Sequence, residues 1–332
     1  VSMMTVSNVI HNRPNVGAAQ RKHVQGFIDT LGYVPNRAAQ ELAGVMRPRF
    51  GLLYPRYMTP FISAVIVGTL NASAQLNVDV SIQLARRGEL SSLRKTIQRM
   101  QDDGIEGFLL PSPIAELAAR AFEKKKLAAP AVAIAPGIQI PGMASVRANE
   151  RQAAFELVSM LLDLGHTEIG HIGGPEMQSG SIARYEGYIS ALISRGIEPR
   201  PERVVKSEFN FQDGVRAAEE LLARHPRVTA IFAANDTLAA SALAVAHRHE
   251  FSLPGELSVV GYDDAPVAEQ IWPALTTVHQ DAAAMTERAV EILEKAVRAW
   301  REDRSALPHE DALFPYEIVH RASIAAPSGK GT

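Results

Sequence analysis

Residues 230–249 read AIFAANDTLAASALAVAHRH and contain the pattern that decides the fold. The short apolar run 230–233 is followed by Asn235 and Asp236 and then by an amphipathic stretch, 238–249. A short apolar run bounded by polar residues is typical of a buried strand, whereas the longer periodic stretch favours a helix. The segment therefore predicts a strand and a helix whose connecting loop carries polar side chains.

The same alternation extends over most of the chain, where short apolar runs are separated mostly by amphipathic stretches. The runs are Gly51–Tyr54, Val78–Leu84, Gly107–Leu110, Ala131–Ala135, Ala144–Val146, Ile169–Ile172, Val204–Glu208, Ala230–Ala233, Leu257–Val260 and Thr276–His279. Strand–helix alternation predicts parallel sheets covered by helices on both faces, and this number of strands suits two sheets of five or six better than one. The predicted fold class is therefore α/β, with two doubly wound parallel sheets.

The carboxyl ends of the predicted strands are where a ligand is expected, because open parallel sheets bind ligands outside those ends. The polar residues that follow the strands are Arg56, Ser112, Asn149, Asn235–Asp236 and Asp263–Asp264. A cleft between two such sheets would collect these side chains from both sides.

Residues 1–50 differ from the rest of the chain in pattern and in charge. Ser2 is a predicted N-cap for a helix that reaches Ile10, and a second helix is expected over about 18–31, with Gly32 as its stop. The segment carries a net charge of +4, so the remaining residues carry −6 of the total of −2. A compact basic segment on an acidic body is typical of a nucleic-acid reader, although a solvated basic helix face gives the same count.

Composition excludes several classes of protein. Hydrophobic residues make up 46% and charged residues 21% of the 332 positions, which is enough apolar surface for a core and argues against global disorder. Cysteine is absent, which removes disulfide frameworks, thiolate zinc sites and cysteine nucleophiles and fits a reducing cytoplasm. The sequence shows neither a membrane-length apolar run nor a signal peptide, so we expect a cytoplasmic protein that does not bind membranes.

No arrangement of residues in the sequence indicates catalysis or a metal site. The sequence contains no nucleophile elbow, zinc-protease motif or P-loop. Asp263 and Asp264 are adjacent, so their side chains point in opposite directions and cannot flank one bond. His247 and His249 are two positions apart on a predicted helix and do not share a face. We therefore expect no enzyme activity, no cofactor and no metal.

A series of short motifs follows a fixed order along the chain. The motifs are VSMMTVSNVIHN (1–12), YVPNRAAQELAG (33–44), LGH (164–166), IGGP (172–175), Arg184 with GY (187–188), AND (234–236), VVGYDD (259–264) and LTTV (275–278) with QD (280–281). In this order they resemble the lactose-repressor (LacI/GalR) family of bacterial transcription regulators over essentially the whole chain. Each motif alone is short, but the ordered series is specific.

The sequence departs from this family at its start. The family's helix-turn-helix opens with a helix that precedes the recognition helix, whereas this sequence opens with Val1 at the turn before the recognition helix. We therefore expect residues 1–44 to be a partial helix-turn-helix DNA-binding domain plus hinge helix, with the first helix absent. We therefore do not expect these 332 residues alone to bind an operator well.

The resemblance implies that an all-α DNA-binding domain is followed by a two-lobed, periplasmic-binding-protein-like core. The expected boundaries are a linker at 45–50, a core at 51–332, an N-lobe at about 51–147 and 282–307, and a C-lobe at about 148–279 and 308–325. The implied protein is a homodimeric repressor whose affinity for a pseudo-palindromic DNA operator is controlled by a small effector bound between the lobes. A solute-binding protein of a sugar transporter shares the core and is the alternative, which the hinge motif and the missing export signal disfavour.

The resemblance assigns the first helix to the major groove of double-stranded DNA. The candidate base readers are Met3, Met4 and Asn8, because Asn can bond to adenine and Met offers apolar contact. The hydroxyls and amide of Thr5, Ser7 and Asn12 suit phosphate contacts, which position the protein without reading sequence. The alternative is that Met3 and Met4 are core residues or residues at the end of a fragment.

The resemblance also places six side chains around a small polyhydroxylated effector. They are Phe61, Arg184, Phe209, Asn235, Asp263 and Gln280. A guanidinium donor, an amide and a charged acceptor together match vicinal hydroxyl groups. A strand-end cap or interlobe ion pair remains the alternative for Asp263, and simple core packing remains the alternative for Phe209.

The chemistry of the effector is left open between a neutral carbohydrate and an acidic one. Ala135 stands where many sugar-binding members of the family have a polar or charged residue. Arg56, Arg86 and Arg87 are basic candidates near the same lobe. More arginine and less carboxylate would favour a sugar acid or a phosphorylated sugar.

The hinge motif generates the first prediction. By resemblance, Asn36 and Ala39 face the minor groove, and the two Leu42 side chains of a dimer wedge into it and kink the central step. Packing of Leu42 against the core is the alternative. We predict that Leu42→Ala weakens operator affinity in the full-length protein, measured by gel-shift titration. An unchanged titration curve would contradict the wedge.

Overall fold

The structure of the protein, a computed structural model, consists of two compact units, residues 1–47 and 48–332. It describes residues 1–10, 15–31, 47–85, 90–123, 127–224 and 227–328. The predicted DNA contacts Asn12, Asn36, Ala39 and Leu42, and the basic pair Arg86–Arg87, lie outside the described residues. No helix in the described ranges is both long and apolar enough to cross a membrane.

The small unit contains two helices, α1 (Met3–Ile10) and α2 (Ala18–Leu31). Ser2 begins α1 as predicted, since its hydroxyl accepts a hydrogen bond from the Thr5 amide at 3.2 Å. Three buried valines form the centre of the unit, with Val6 and Ile28 packed around them. These valines are Val9, Val16 and Val24.

The large unit alternates strands and helices in the order that the apolar runs predict. Its first half contains β1 (Arg49–Tyr54), α3 (Pro60–Leu76), β2 (Asp79–Leu84), α4 (Leu90–Asp102), β3 (Gly107–Pro111), α5 (Ile114–Ala121), β4 (Ala131–Ile134), β5 (Ala144–Ala148) and α6 (Glu150–Asp163). Its second half contains β6 (Ile169–Gly173), α7 (Ser179–Ser194), β7 (Val204–Lys206), α8 (Phe211–Leu222), β8 (Ala230–Ala233), α9 (Asp236–Arg248), β9 (Ser258–Val260), α10 (Val267–Gln270), β10 (Thr277–His279), α11 (Ala282–Glu302), β11 (Asp311–Phe314) and β12 (Glu317–Val319).

The N-lobe is built on a six-stranded parallel sheet in the order β11-β5-β4-β3-β1-β2. Adjacent residues of one strand face opposite helical layers, because side chains alternate along a strand. Leu52 packs with α3 and α11, whereas Leu53 packs with α4 and α5. Burial on both faces explains why β1 and β3 are apolar at nearly every position.

The C-lobe has a four-stranded parallel sheet in the order β7-β6-β8-β9. Helices α8 and α9 cover one face, and α6 and α7 cover the other. An antiparallel pair, β10 and β12, continues this lobe, and Val260 forms a bridge with Thr276 at its edge. The two doubly wound sheets confirm the predicted fold class, although the C-lobe sheet has four strands rather than five or six.

The predicted boundary of the last lobe segment is wrong for residues 308–314. Residues 308–325 were expected in the C-lobe, but Asp311, the first residue of β11, pairs with Ser145 in the N-lobe sheet. Arg147 fixes this edge, since its Nε and Nη2 donate to the two carboxylate oxygens of Asp311 at 2.8 and 2.7 Å. The chain therefore crosses between the lobes at Asn149, after β10, and after β11.

Candidate functional site

A cavity of about 860 Å³ lies between the two lobes of the large unit, at the carboxyl ends of both sheets. All six predicted effector residues line it: Phe61, Arg184, Phe209, Asn235, Asp263 and Gln280. Arg56, Ser112 and Ala135 line it as well. Asn149 does not, because its side chain accepts a hydrogen bond from the Gln152 amide and caps α6.

The guanidinium of Arg184 is the buried charge at the centre of the C-lobe wall. Its Nε donates to Glu150 Oε2 and its Nη1 donates to the Ala234 carbonyl, both at 2.5 Å, while Nη2 lies 3.5 Å from Asp263 Oδ1. The group also stacks over the ring of Tyr262, 3.7 Å from the centroid. Burial alone would lower the pKa of Arg184, but Glu150 and Asp263 raise it above its ordinary value.

Asp263 lies three positions beyond the end of β9, in a strained conformation with a positive φ of 101°. This φ is rare for a residue other than glycine, and it directs the carboxylate toward Arg184 and Gln280. Gln280 Nε2 donates to Asp263 Oδ1 at 2.7 Å. Burial raises the pKa of Asp263 to about 6, although Arg184 acts in the opposite direction. Asp263 is thus an ion-pair partner within the C-lobe and also part of the cavity wall.

The amide of Gln280 retains acceptor capacity beside this carboxylate. Gln280 is buried, and its Oε1 has no hydrogen-bond partner among the described residues. A buried acceptor without a partner is costly, and a ligand hydroxyl or amine that donates to it would remove that cost.

Asn235 and Asp236 begin helix α9 and have different roles. Asn235, a predicted effector residue, caps the helix with its side-chain oxygen, because Oδ1 accepts a hydrogen bond from the Leu238 amide at 3.0 Å. Asp236 does not line the cavity. It accepts hydrogen bonds from Thr277 Oγ1 and the Ala265 amide, each at 2.6 Å. Burial raises the pKa of Asp236 to about 8.

Two aromatic rings flank the polar wall from opposite lobes. Phe61 lies in the first turn of α3, and Phe209 precedes α8. A side chain at Gly174 would place its Cβ 2.2 Å from the Phe209 ring, so the glycine is needed for this ring position. Phe209 also packs against the C-lobe core. It is therefore both a lining residue of the cavity and a core residue.

The charges on the two walls are arranged differently. On the C-lobe wall, acids and bases pair, as in Lys206–Glu176 and Arg216–Asp213. On the N-lobe wall, the only charged side chains among the described lining residues are Arg56 and Arg120. Sequence reasoning missed Arg120, whose helix α5 follows directly after the strand end at Ser112. Its Nη1 lies 3.7 Å from the sulfur of Met177 on the facing lobe.

The small unit presents part of the predicted DNA-reading surface on α1. Met4 is 71% exposed, which removes core packing as the alternative for this residue. Thr5 and Asn8 are half-buried on the same helix. The side chains of Met3 and Ser7 lie outside the described part of the structure.

The comparisons with known proteins agree with both units. Residues 158–324 match the periplasmic binding protein-like domain, and residues 1–36 match the bacterial regulatory proteins of the lacI family. The repressor PurR of Photobacterium profundum is 28% identical over 98% of this chain and 95% of its own length. The regulator GalR of Escherichia coli is 28% identical over 99% of this chain and 94% of its own length.

Solved structures of similar proteins give the same fold. A complex of the transcriptional regulator CelR with cellobiose is 26% identical, with a TM-score of 0.73, covering 97% of this chain and 96% of that one. The lac repressor dimer bound to operator and the anti-inducer ONPF is 23% identical, with a TM-score of 0.85, covering 98% and 96%.

The two-lobed core and its interlobe cavity define a ligand-binding protein of the periplasmic-binding-protein type. The match of residues 1–36 to the lacI-family regulatory proteins shows that a DNA-binding domain precedes this core. The chain belongs to the LacI family of bacterial regulatory proteins, and it is a DNA-binding transcriptional regulator.

The buried carboxyl of Asp236 predicts how stability depends on pH. Its pKa is raised from 3.8 to about 8, so the folded protein keeps a proton that the unfolded chain releases. The free energy of unfolding should therefore fall as pH rises from about 4 to 8, by at most about 1.4 kcal/mol per pH unit from this group. Asp263, with a pKa of about 6, acts in the same direction at lower pH.

Urea unfolding of the wild type and Asp236→Asn at pH 5, 6, 7 and 8 measures this slope. We expect a flatter slope in the variant, and Asp163→Asn, on an exposed pair with Arg195, should keep the wild-type slope. Equal slopes in Asp236→Asn and the wild type would show that Asp236 titrates normally.

Proposed function

We propose that this protein is a repressor whose affinity for a pseudo-palindromic operator is controlled by a small polyhydroxylated effector in the interlobe cavity. The observation that carries the proposal is the constellation of Arg184, Asp263 and Gln280 at one wall of a cavity of about 860 Å³. This volume suits a ligand of the size of a mono- or disaccharide.

The wall groups supply the hydrogen-bonding pattern of a sugar. Asp263 and the partnerless Gln280 Oε1 accept hydrogen bonds, while Arg184 Nη2 and the Asn235 amide can donate them. Phe61 and Phe209 offer apolar faces to the carbon-bound hydrogens of a ring. The cellobiose complex of CelR supports this class of effector.

Control of DNA binding requires that the effector bind the open and closed arrangements of the lobes with different affinity. We infer that the active species is a homodimer, because two recognition helices read the two halves of a pseudo-palindrome. The lac repressor dimer on its operator supports this assembly. We assign the protein no catalytic role and place its action in the cytoplasm. The lacI-family match of residues 1–36 favours a regulator over a transporter's solute-binding protein.

The proposal predicts that Asp263→Asn loses the effector response but keeps operator binding. Loss of a charged hydrogen-bond acceptor should weaken effector binding about 10- to 100-fold. Fluorescence anisotropy with the upstream intergenic DNA, titrated with effector, measures both properties. Asp163→Asn is the matched exposed control. A full response in Asp263→Asn would contradict the proposed site, and salt-insensitive, sequence-independent binding by the wild type would contradict the regulator.

The charges on the N-lobe wall favour an acidic effector over a neutral one. Arg56 and Arg120 have no acidic partner among the described residues, so an effector carboxylate or phosphate could pair with them. We predict that, in a thermal-shift panel, aldonic acids and sugar phosphates stabilise the protein more than the matching neutral sugars. Arg120→Gln should reduce that difference and leave the response to neutral sugars unchanged. Stabilisation by neutral sugars alone would overturn the acidic class.

A further inference from the structure

The two lobes are joined by hydrogen bonds between Glu116 and Ser179, outside the cavity lining described above. Glu116 lies in the first turn of α5 in the N-lobe, and Ser179 is the first residue of α7 in the C-lobe. The Ser179 amide donates to Glu116 Oε1 at 3.2 Å, and the Ser179 hydroxyl donates to the same oxygen. One carboxylate therefore holds the start of a helix that belongs to the other lobe.

Neighbouring groups fix both partners of this contact. The buried Ser112 hydroxyl, at the end of β3, donates to Glu116 Oε1 at 2.7 Å. The Gly137 amide of the N-lobe donates to Ser179 Oγ at 2.8 Å. Ser179 thus accepts a hydrogen bond from one N-lobe segment and donates to another. Glu116 Oε2 is buried and has no hydrogen-bond partner among the described residues.

Helix α7 depends on this contact for its N-terminal cap. The preceding residue, Gln178, makes no side-chain capping bond, and the Ser179 amide donates instead to Glu116 Oε1. A carboxylate at a helix N-terminus satisfies such an amide and interacts favourably with the helix dipole. Arg184, in the second turn of α7, is the central side chain of the cavity wall.

Gly137 allows the lobes to approach closely at this point. A Cβ built on Gly137 would lie 2.2 Å from the Ser179 carbonyl oxygen and 2.6 Å from the Gly180 nitrogen. Backbone atoms cannot move aside as a flexible side chain can, so a larger residue would separate the two segments. The absence of a side chain at Gly137 and the carboxylate of Glu116 thus both support the contact of the N-lobe with the start of α7, which we call the closed contact.

We propose that Glu116 is an interlobe positioning residue, which caps helix α7 from the opposite lobe and thereby stabilises the closed arrangement around the cavity. Opening of the lobes removes the cap from α7 and breaks the Gly137 hydrogen bond in the same motion. The helix that carries Arg184 is therefore best ordered when the lobes are closed. The link to effector affinity rests on the proposed function, whereas the closed contact itself does not.

Hydrogen exchange by mass spectrometry on the full-length protein, without effector or DNA, tests the contact. In Glu116→Ala, peptides that cover Gly137 and Ser179 should exchange on the order of fivefold faster, while peptides from β8 keep the wild-type rate. Glu116→Gln retains one acceptor oxygen, so these peptides should exchange faster than in the wild type and more slowly than in Glu116→Ala. Wild-type exchange at both peptides in Glu116→Ala would overturn the proposal.

A second pair of variants separates the contact from general destabilisation. Gly137→Ala should accelerate the Ser179 peptide with Glu116 intact. Gly255→Ala is its matched control, because the added Cβ would meet no atom closer than 3.9 Å. If Glu116→Ala accelerates β8 as well, the variants Glu116→Gln and Gly137→Ala decide. Wild-type exchange of both contact peptides in Glu116→Gln and Gly137→Ala would then overturn the proposal.

The effector experiment uses whichever sugar or sugar acid stabilises the wild type in the thermal-shift panel. Glu116→Ala should weaken its binding about fivefold, and Glu116→Gln less, while Gly255→Ala binds as the wild type does. Unchanged affinity in Glu116→Ala would overturn the link between closure and binding. If no sugar binds at all, the proposed function fails, and the exchange rates still decide the contact.

Discussion

The buried positive charge of Arg184 is the constraint on which the cleft depends. An unpaired buried cation costs several kcal/mol in lost hydration, so its environment must supply a counter-charge and hydrogen-bond acceptors. Glu150 supplies the counter-charge from the start of α6, and the Ala234 carbonyl supplies an acceptor just after β8. Asp263 adds a second carboxylate from the turn after β9. Three segments of the C-lobe are therefore fixed around one side chain.

The same pairing connects the ligand-facing wall to a crossover between the lobes. Asp263 is shared between Arg184, at the longer distance of 3.5 Å, and Gln280, which follows β10 at the crossover. A ligand that hydrogen-bonds to Asp263 would compete with both interactions. Because Gln280 also has a partnerless oxygen, a ligand that donates to that atom could compensate for the loss. One carboxylate thus connects the cavity wall to the crossover segment that follows β10.

Much of the fold followed from apolar periodicity, and the exceptions have physical causes. The strands of the buried sheets were predictable because burial on both faces requires nearly continuous apolar residues. Strand β11 was missed because it begins with Asp311 and Leu313 is 60% exposed, so its burial pattern is that of an edge strand. At the site, the polar strand ends and the family resemblance both identified Asn235 and Asp263, whereas Arg184 and Gln280 followed from the resemblance alone. Arg120 and Glu116 carry no local signal, since only tertiary packing brings α5 to the facing lobe.

The helix caps around the cleft differ in where the capping residue lies in the sequence. Asn149 caps α6 through the Gln152 amide, and Asp281 caps α11 through the Ala284 amide, each at a crossover between the lobes. In both cases the capping residue and the residue whose amide donates to it are three positions apart in the sequence. A rotation at the crossover would therefore leave the hydrogen bond intact. The cap of α7 comes instead from Glu116, which is 63 positions away and in the other lobe. On the proposed role of Glu116, a rotation of the lobes therefore breaks the cap of α7 and preserves those of α6 and α11.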